Sequence, residues 1–260
     1  MPDLRAVSAA LAAIAALAVI GWLISVAKRN VGIVDSLWSL FFLLATLVFA
    51  GVNAANGPRA ALLIVMVSLW ALRLSGYITR RNHGEPEDRR YQAIRAANEP
   101  GFAWKSFFIV FALQGVLAAV IATPLVVGIG SPAPLNVVDG LGVALWAFGF
   151  AFEWIGDRQL ARFKGDAANR GQVMDTGLWR YTRHPNYFGE ATLWWGYYLV
   201  AVAGGGEWTI FAPLVMAFLL LKVSGVRLLE KDIGERRPAY ADYIARTNAF
   251  FPGPRKDAAR

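Results

Sequence analysis

The chain has 260 residues, of which 57% are apolar and 17% charged, and its net charge is +8. Soluble domains carry about 25% charged residues, and here the basic residues flank apolar runs, the pattern of membrane loops rather than of a nucleic-acid surface. The absence of cysteine excludes disulfides, thiolate metal sites and cysteine nucleophiles, and the presence of only two histidines, His83 and His184, argues against a histidine-rich metal site.

A membrane-spanning helix needs roughly 20 mostly apolar residues. Seven such runs are predicted, near 7–27, 33–53, 59–79, 104–124, 137–157, 187–204 and 208–228. The first is read as a mature helix rather than a signal peptide, because it runs into Lys28-Arg29 without a clean small-residue cleavage site. The predicted fold is therefore all-α, a single polytopic domain over 1–260 with no internal repeat. The first loop carries Lys28 and Arg29. The third carries Arg80, Arg81, Arg89, Arg90 and Arg95, and the fifth carries Arg158, Arg162, Lys164, Arg170, Arg180 and Arg183. The tail from Arg227 onward is basic as well, whereas the second, fourth and sixth loops are not, although Arg59 opens the third helix. This alternation predicts an outside N-terminus and a cytoplasmic C-terminus. Gly204-Gly205-Gly206 reads as a turn. Gly128-Ile129-Gly130 reads as plain loop, since it lacks the strand and helix that a dinucleotide fingerprint requires.

Charges within or beside apolar runs need a reason. Asp35 opens the second run and reads either as a helix N-cap or as a functional acid. Arg73 lies inside the third run, with Asp35 as its expected ion-pair partner. Lys222 can snorkel to the interface. Glu153 and Asp157 are four residues apart and share a helix face. The third loop, Asn82 to Tyr91, mixes acids and bases and is expected to fold as an ion-paired element. The densest polar segment is Gly177 to Glu190, with Arg180, Tyr181, Arg183, His184, Asn186, Tyr187 and Glu190 at the mouth of the sixth helix. Pro185 suits the first turn of that helix. A helix N-terminus ringed by arginines is an anion site, with phosphate as its natural guest. The tail adds Arg227, Glu230, Tyr240 and Tyr243, as an amphipathic helix on the membrane or as a cover over a ligand.

The segment Gly177–Glu190, together with Glu230, Tyr240, Tyr243 and Phe251-Pro252-Gly253, resembles the steroid 5-alpha-reductase family, specifically its bacterial branch carrying the domain of unknown function 1295. The likeness extends to Asp35-Ser36-Leu37-Trp38, Arg73 and Glu87-Asp88-Arg89-Arg90-Tyr91. Arg183-His184-Pro185-Asn186-Tyr187 is shared with sterol reductases and isoprenylcysteine methyltransferases. The resemblance implies a multi-pass protein of a bacterial inner membrane that takes NADPH and reduces a double bond conjugated to a ketone in a steroid or other lipid, with no metal, nucleic acid or protein partner required. It implies cofactor contacts at Arg73, Asp157, Lys164, Tyr181, Arg183, His184, Asn186, Tyr187, Glu190, Arg227, Glu230 and Tyr240, most of them within 104–260. Asp35 matches a substrate-facing acid. The tyrosine that the steroid enzymes place opposite that acid aligns with Trp70 or Ala71, leaving Tyr77 as the substitute donor beside a protonated Asp35. The alternative is an S-adenosylmethionine-dependent membrane methyltransferase, which needs Asp35 and Arg73 less.

Overall fold

The computed structural model describes residues 3–54, 57–223, 225–230 and 238–256, and the Arg236-Arg237 pair of the tail lies outside them. The described residues are all-α, with no strand, and five helices are long and apolar enough to cross a membrane. These are α1 (Leu4–Lys28), α2 (Ile33–Val52), α3 (Pro58–Asn82), α5 (Phe102–Ile121) and α7 (Val137–Gly165). Between them lie α4 (Arg89–Asn98) and α6 (Thr123–Ile129). The sixth and seventh expected runs are helical as α8 (Pro185–Val202) and α9 (Phe211–Phe218), the latter continued by a π-helical turn over Leu219–Val223. Two short helices follow, α10 (Val226–Glu230) and α11 (Pro238–Arg246). The chain forms two compact units, Met1–Asn136 with Val200–Thr209, and Val137–Leu199 with Ile210–Arg260.

In the first unit, α1 buries a stripe of small residues, Ala6, Ala10, Ala18, Gly21 and Ser25 with Ile14, at helical spacing. Small side chains let helices approach closely where lipid gives no hydrophobic drive to pack. Gly21 shows how closely, since a Cβ there would lie 2.3 Å from Leu37 of α2. Outside this stripe, Leu4, Leu11, Ile20 and Leu23 are exposed, as a lipid-facing surface would be. The core is aromatic and aliphatic, with Phe41, Phe42, Phe49, Leu63, Trp70 and Phe111 fully buried.

Arg59 answers a question that the loop charges left open. It is buried, and its guanidinium donates to the carbonyls of Ala133 and Pro134 at 2.9 Å and of Ala203 at 3.1 Å. It ties together the two chain segments that turn at this end of the unit, so it is a structural clamp rather than a topology signal. Arg59→Met strands these buried carbonyls at roughly 1 kcal/mol or more apiece. A destabilisation of about 3 kcal/mol is expected, read as a lowered melting temperature of the detergent-solubilised protein.

Gly128 and Ile129 belong to α6 and not to a loop, with Gly130 as the cap. Pro124 restarts the helix in its first turn. A Cβ at Gly128 would meet Leu63 at 2.6 Å and the Ala201 backbone at 3.7 Å, so close packing explains this glycine. Arg158, Arg162 and Lys164 lie on α7 rather than in a loop. At 29 residues and about 1.5 Å per residue, α7 exceeds a hydrocarbon core of about 30 Å. The Gly204–Gly206 turn is present, with Gly205 at φ +86°. Lys222 is exposed on the π-helical turn, as snorkelling requires.

In the second unit, the buried stripe of α7 is Asp139, Gly142, Trp146, Gly149, Glu153, Gly156 and Asp157. Its glycines meet glycines of α8. A Cβ on Gly149 would lie 2.6 Å from the Gly189 carbonyl, and one on Gly196 would lie 2.7 Å from the Gly142 carbonyl. The two backbones therefore touch, and this seam carries Glu153 and Asp157 on one helix and Glu190 on the other, all buried.

Candidate functional site

The first unit concentrates its polar chemistry where the third loop folds against the start of α2. Asp88 caps α4 by accepting from the Arg90 amide at 2.9 Å. The cap orients the first turn, so that Arg90 and Tyr91 both reach Asp35. Tyr91 Oη donates to Asp35 Oδ1 at 2.6 Å, and Arg90 Nη2 donates to Oδ2 at 2.9 Å. The N-cap of α2 is Gly32, and Asp35 stands in the first helical turn with its carboxylate turned to the loop. The expected ion pair with Arg73 is replaced by one with Arg90. A second anchor stands beside it: Glu87 accepts from the Val31 amide at 2.8 Å and from Arg95 at 2.9 and 2.8 Å. Loop three is thus the ion-paired element that its composition suggested.

The electrostatics follow from these partners. Burial and the neighbouring Asp35 carboxylate raise the Tyr91 hydroxyl well above the ordinary phenol range, so its proton is firmly held. Burial works against a charged Glu87, but hydrogen bonds from Arg95 and Val31 outweigh it and lower its pKa. Tyr77, the expected donor, lies on α3 with the Arg81 guanidinium 5.9 Å above its ring, and the tyrosine bonded to Asp35 is Tyr91. Sequence reasoning placed Tyr91 only within a motif and gave it no role. The signal that pointed to it was Asp88, a helix N-cap three residues before it.

The second unit folds the Gly177–Glu190 segment between α7 and the tail. Gly177, at φ +59°, lies against Gln159, whose Oε1 accepts from the Leu178 amide at 3.0 Å. The Trp179 indole donates to the Gly156 carbonyl at 3.1 Å. On its other side the segment is held by the tail: the Arg183 amide donates to Asn248, Thr182 Oγ1 to Phe250, and Tyr243 Oη to Trp179. Pro185 then opens α8, as predicted.

Arg183 is buried and heavily engaged. Nε and Nη2 form a fork on Glu230 at 2.7 Å each, and Nη1 donates to the Ile244 and Thr247 carbonyls. His184 Nε2 lies 2.8 Å from Glu230 Oε1, and the His184 ring stacks parallel to Tyr187 at 5.5 Å. Burial disfavours a charged Glu230, but Arg183 and His184 prevail and hold its pKa down to about 2. Glu230 is therefore a carboxylate, and His184 Nε2 carries the hydrogen between them. Two of the expected cofactor contacts, Arg183 and Glu230, thus hold each other.

The remaining expected contacts are spread along this unit. Asp157 and Glu190 are buried, Asn186, Tyr187 and Tyr240 are half-buried, and Lys164, Tyr181 and Arg227 are exposed. Arg158, Arg162 and Arg180 are exposed as well, and they were not among the expected contacts. Arg73, on α3, belongs to the first unit and is half-buried.

A protein of Schizosaccharomyces pombe described as uncharacterized is 29% identical to the chain over 266 residues, which cover 89% of this chain and 75% of the relative. No solved structure matches. A family model described as "Protein of unknown function (DUF1295)" matches residues 21–247, and the chain belongs to that family.

Proposed function

We propose that the protein is a membrane-embedded, NADPH-dependent reductase of a carbon–carbon double bond conjugated to a ketone, acting on a steroid or other lipid. The observation that carries this reading is the Asp35–Tyr91–Arg90 cluster, a phenol with a strongly held proton directed at a carboxylate whose other oxygen is bound by a guanidinium. In this reading Tyr91 Oη holds the proton and Asp35 positions it. A ketone oxygen can accept the Tyr91 hydrogen in place of Asp35 Oδ1, while Arg90 keeps the carboxylate satisfied. Tyr91 then meets the charge that develops on that oxygen.

The side chains of the second unit suit a dinucleotide. Glu190 and Asp157 are acceptors for ribose hydroxyls and a carboxamide, Asn186 serves as donor or acceptor, and Arg158, Arg162, Lys164 and Arg180 supply positive charge for phosphates. Arg183 does not join them, because its guanidinium is engaged by Glu230 and tail carbonyls. Reduced nicotinamide, when bound, supplies a hydride to the carbon beta to the ketone. The loop charges support seven spans with an outside N-terminus and a cytoplasmic C-terminus, where NADPH is available to the basic loops, and the family resemblance is what points to a bacterial inner membrane.

Titration of the purified protein with NADPH is expected to give a saturable fluorescence change, and Glu190→Gln is expected to weaken it by at least about tenfold, or 1.4 kcal/mol. Saturable binding of S-adenosylmethionine with no NADPH response would replace the reductase reading with methyl transfer.

A further inference from the structure

The first unit holds a cavity of about 640 Å³ that the proposed reaction does not use. Ligand pockets span roughly 300–1,000 Å³. Its walls are the last turn of α1, the end of α4 and the start of α5, and they include Val26, Arg29, Arg95, Glu99 and Phe102. The Trp22 indole joins two of these walls by donating to the Ala103 carbonyl at 2.8 Å. Tryptophan at this level, beside Lys28 and Arg29, marks the interfacial end of the helices. Outside the cavity, Leu23 on α1 and Trp104 and Phe108 on α5 are exposed apolar side chains of the same helices. The cavity's own lining combines the charged Arg29, Arg95 and Glu99 with the apolar Val26, Val31 and Phe102.

The charges at the rim are specific. Arg95 is neutralised by its two bonds to Glu87, and its guanidinium stacks 4.5 Å above Phe102. That leaves one cation and one anion. Arg29 is exposed, and its guanidinium makes no ion pair among the described residues. It is held in the left-handed region at φ 50°, where its amide closes α1 and its carbonyl faces Arg95 at 3.4 Å. Glu99 is also exposed; one carboxylate oxygen accepts only a 3.4 Å bond from the Phe102 amide, and its charge adds to the field on Arg95. A guanidinium and a carboxylate on one rim complement a ligand that carries a phosphate and an ammonium together. Arginine matches phosphate geometry. A carboxylate prefers a primary ammonium, which donates hydrogen bonds that a trimethylated one lacks.

We propose that this cavity binds the headgroup of a phosphatidylethanolamine-type lipid, with its phosphate on Arg29, its ammonium on Glu99 and its acyl chains along Val26 and Leu23. The assignment rests on the membrane reading of the helices and is independent of the reductase reading.

The test uses the full chain, delipidated in detergent, with short-chain phosphatidylethanolamine, phosphatidylcholine and phosphatidylglycerol as probes and native mass spectrometry as readout. The ethanolamine lipid is expected to bind at least several-fold tighter than the other two. Arg29→Gln lowers its affinity about tenfold, in line with one charge-assisted hydrogen bond, and Arg29→Lys restores part of it. Glu99→Gln leaves the choline lipid unchanged and abolishes the preference for ethanolamine over choline. Both side chains are exposed, so the variants should fold, and unchanged helical circular dichroism checks that they do. Preference for the glycerol lipid, equal binding of all three heads, or a preference that survives Glu99→Gln would overturn the proposal. Displacement by millimolar inorganic phosphate would also overturn it, by identifying a free anion as the ligand.

Discussion

Tyr91→Phe is expected to lower kcat for reduction of a 3-keto-4-ene steroid by about 10²–10⁴-fold, the usual contribution of a positioned general acid, while NADPH titrates as in the unmodified protein. The substitution removes one oxygen from a buried site. The ring, which packs beside Gly32 and beneath the Arg90 guanidinium, remains in place. Asp35 keeps its bond to Arg90 Nη2 at 2.9 Å, so loop three stays docked. Asp35→Asn is expected to act on the same step by a different route: an amide accepts through one oxygen only, so either Tyr91 or Arg90 loses its acceptor. That variant should also abolish turnover with NADPH binding retained. Tyr77→Phe serves as the control and should stay near the unmodified rate. If Tyr77→Phe abolishes turnover and Tyr91→Phe does not, the donor is the α3 tyrosine and the assignment of Tyr91 fails. The pH profile gives a separate reading. Burial and Asp35 raise the Tyr91 hydroxyl above its ordinary pKa of 10.0, so no loss of rate from its ionisation is expected below that pH. A limb that falls between neutrality and pH 10 and vanishes in Tyr91→Phe would contradict the geometry.

What the sequence made legible follows from the range of each signal. The five long apolar helices were visible because twenty apolar residues in a row have few other uses. Pro185 stands in the first turn of its helix, and the glycine turn at 204–206 lies where its composition placed it. The polar face of α7 was visible because Glu153 and Asp157 are one helical turn apart, and both proved buried. Contacts across long sequence separation were not visible. Asp35 and Tyr91 are 56 residues apart, and their meeting depends on how α4 docks on α2. Arg59 and Arg183 are engaged in ways that no sequence pattern marks: Arg59 gathers backbone carbonyls, and Arg183 divides its bonds between the Glu230 carboxylate and the Ile244 and Thr247 carbonyls. An arginine in a basic loop looks the same whether it awaits a phosphate or gathers the chain's own carbonyls. The end of α7 was misplaced because a run of charge marks where the bilayer stops, while a helix stops only where its backbone bonds do.

Arg183→Met is expected to cost about 3 kcal/mol, within the range for breaking a largely buried ion pair, or roughly 6–12 °C in melting temperature for a chain of this size. The loss has two sources. Among the described residues Glu230 is left with His184, and the Ile244 and Thr247 carbonyls lose the Arg183 donor. Arg183→Lys should recover little of it, because an ammonium cannot fork onto a carboxylate and reach two carbonyls at once. The pH dependence follows from the partner. The folded pKa of Glu230 is depressed from 4.5 to about 2, so the stability it contributes is fully present above 4.5 and is lost as the pH falls towards 2. The difference in melting temperature between the unmodified protein and Glu230→Gln should therefore be largest near neutrality and shrink below pH 4.5. This series also separates a structural arginine from a phosphate-binding one. If Arg183 holds the tail, Arg183→Lys weakens NADPH and NADH binding by the same factor, since the ligand feels only a loosened wall. If Arg183 instead contacts the phosphate that distinguishes the two cofactors, NADPH alone weakens, and the ratio of the two affinities moves by tenfold or more, about 1.4 kcal/mol. The fork on Glu230 and the two carbonyl bonds predict a constant ratio, with positive charge for phosphates coming instead from the exposed arginines Arg158, Arg162 and Arg180.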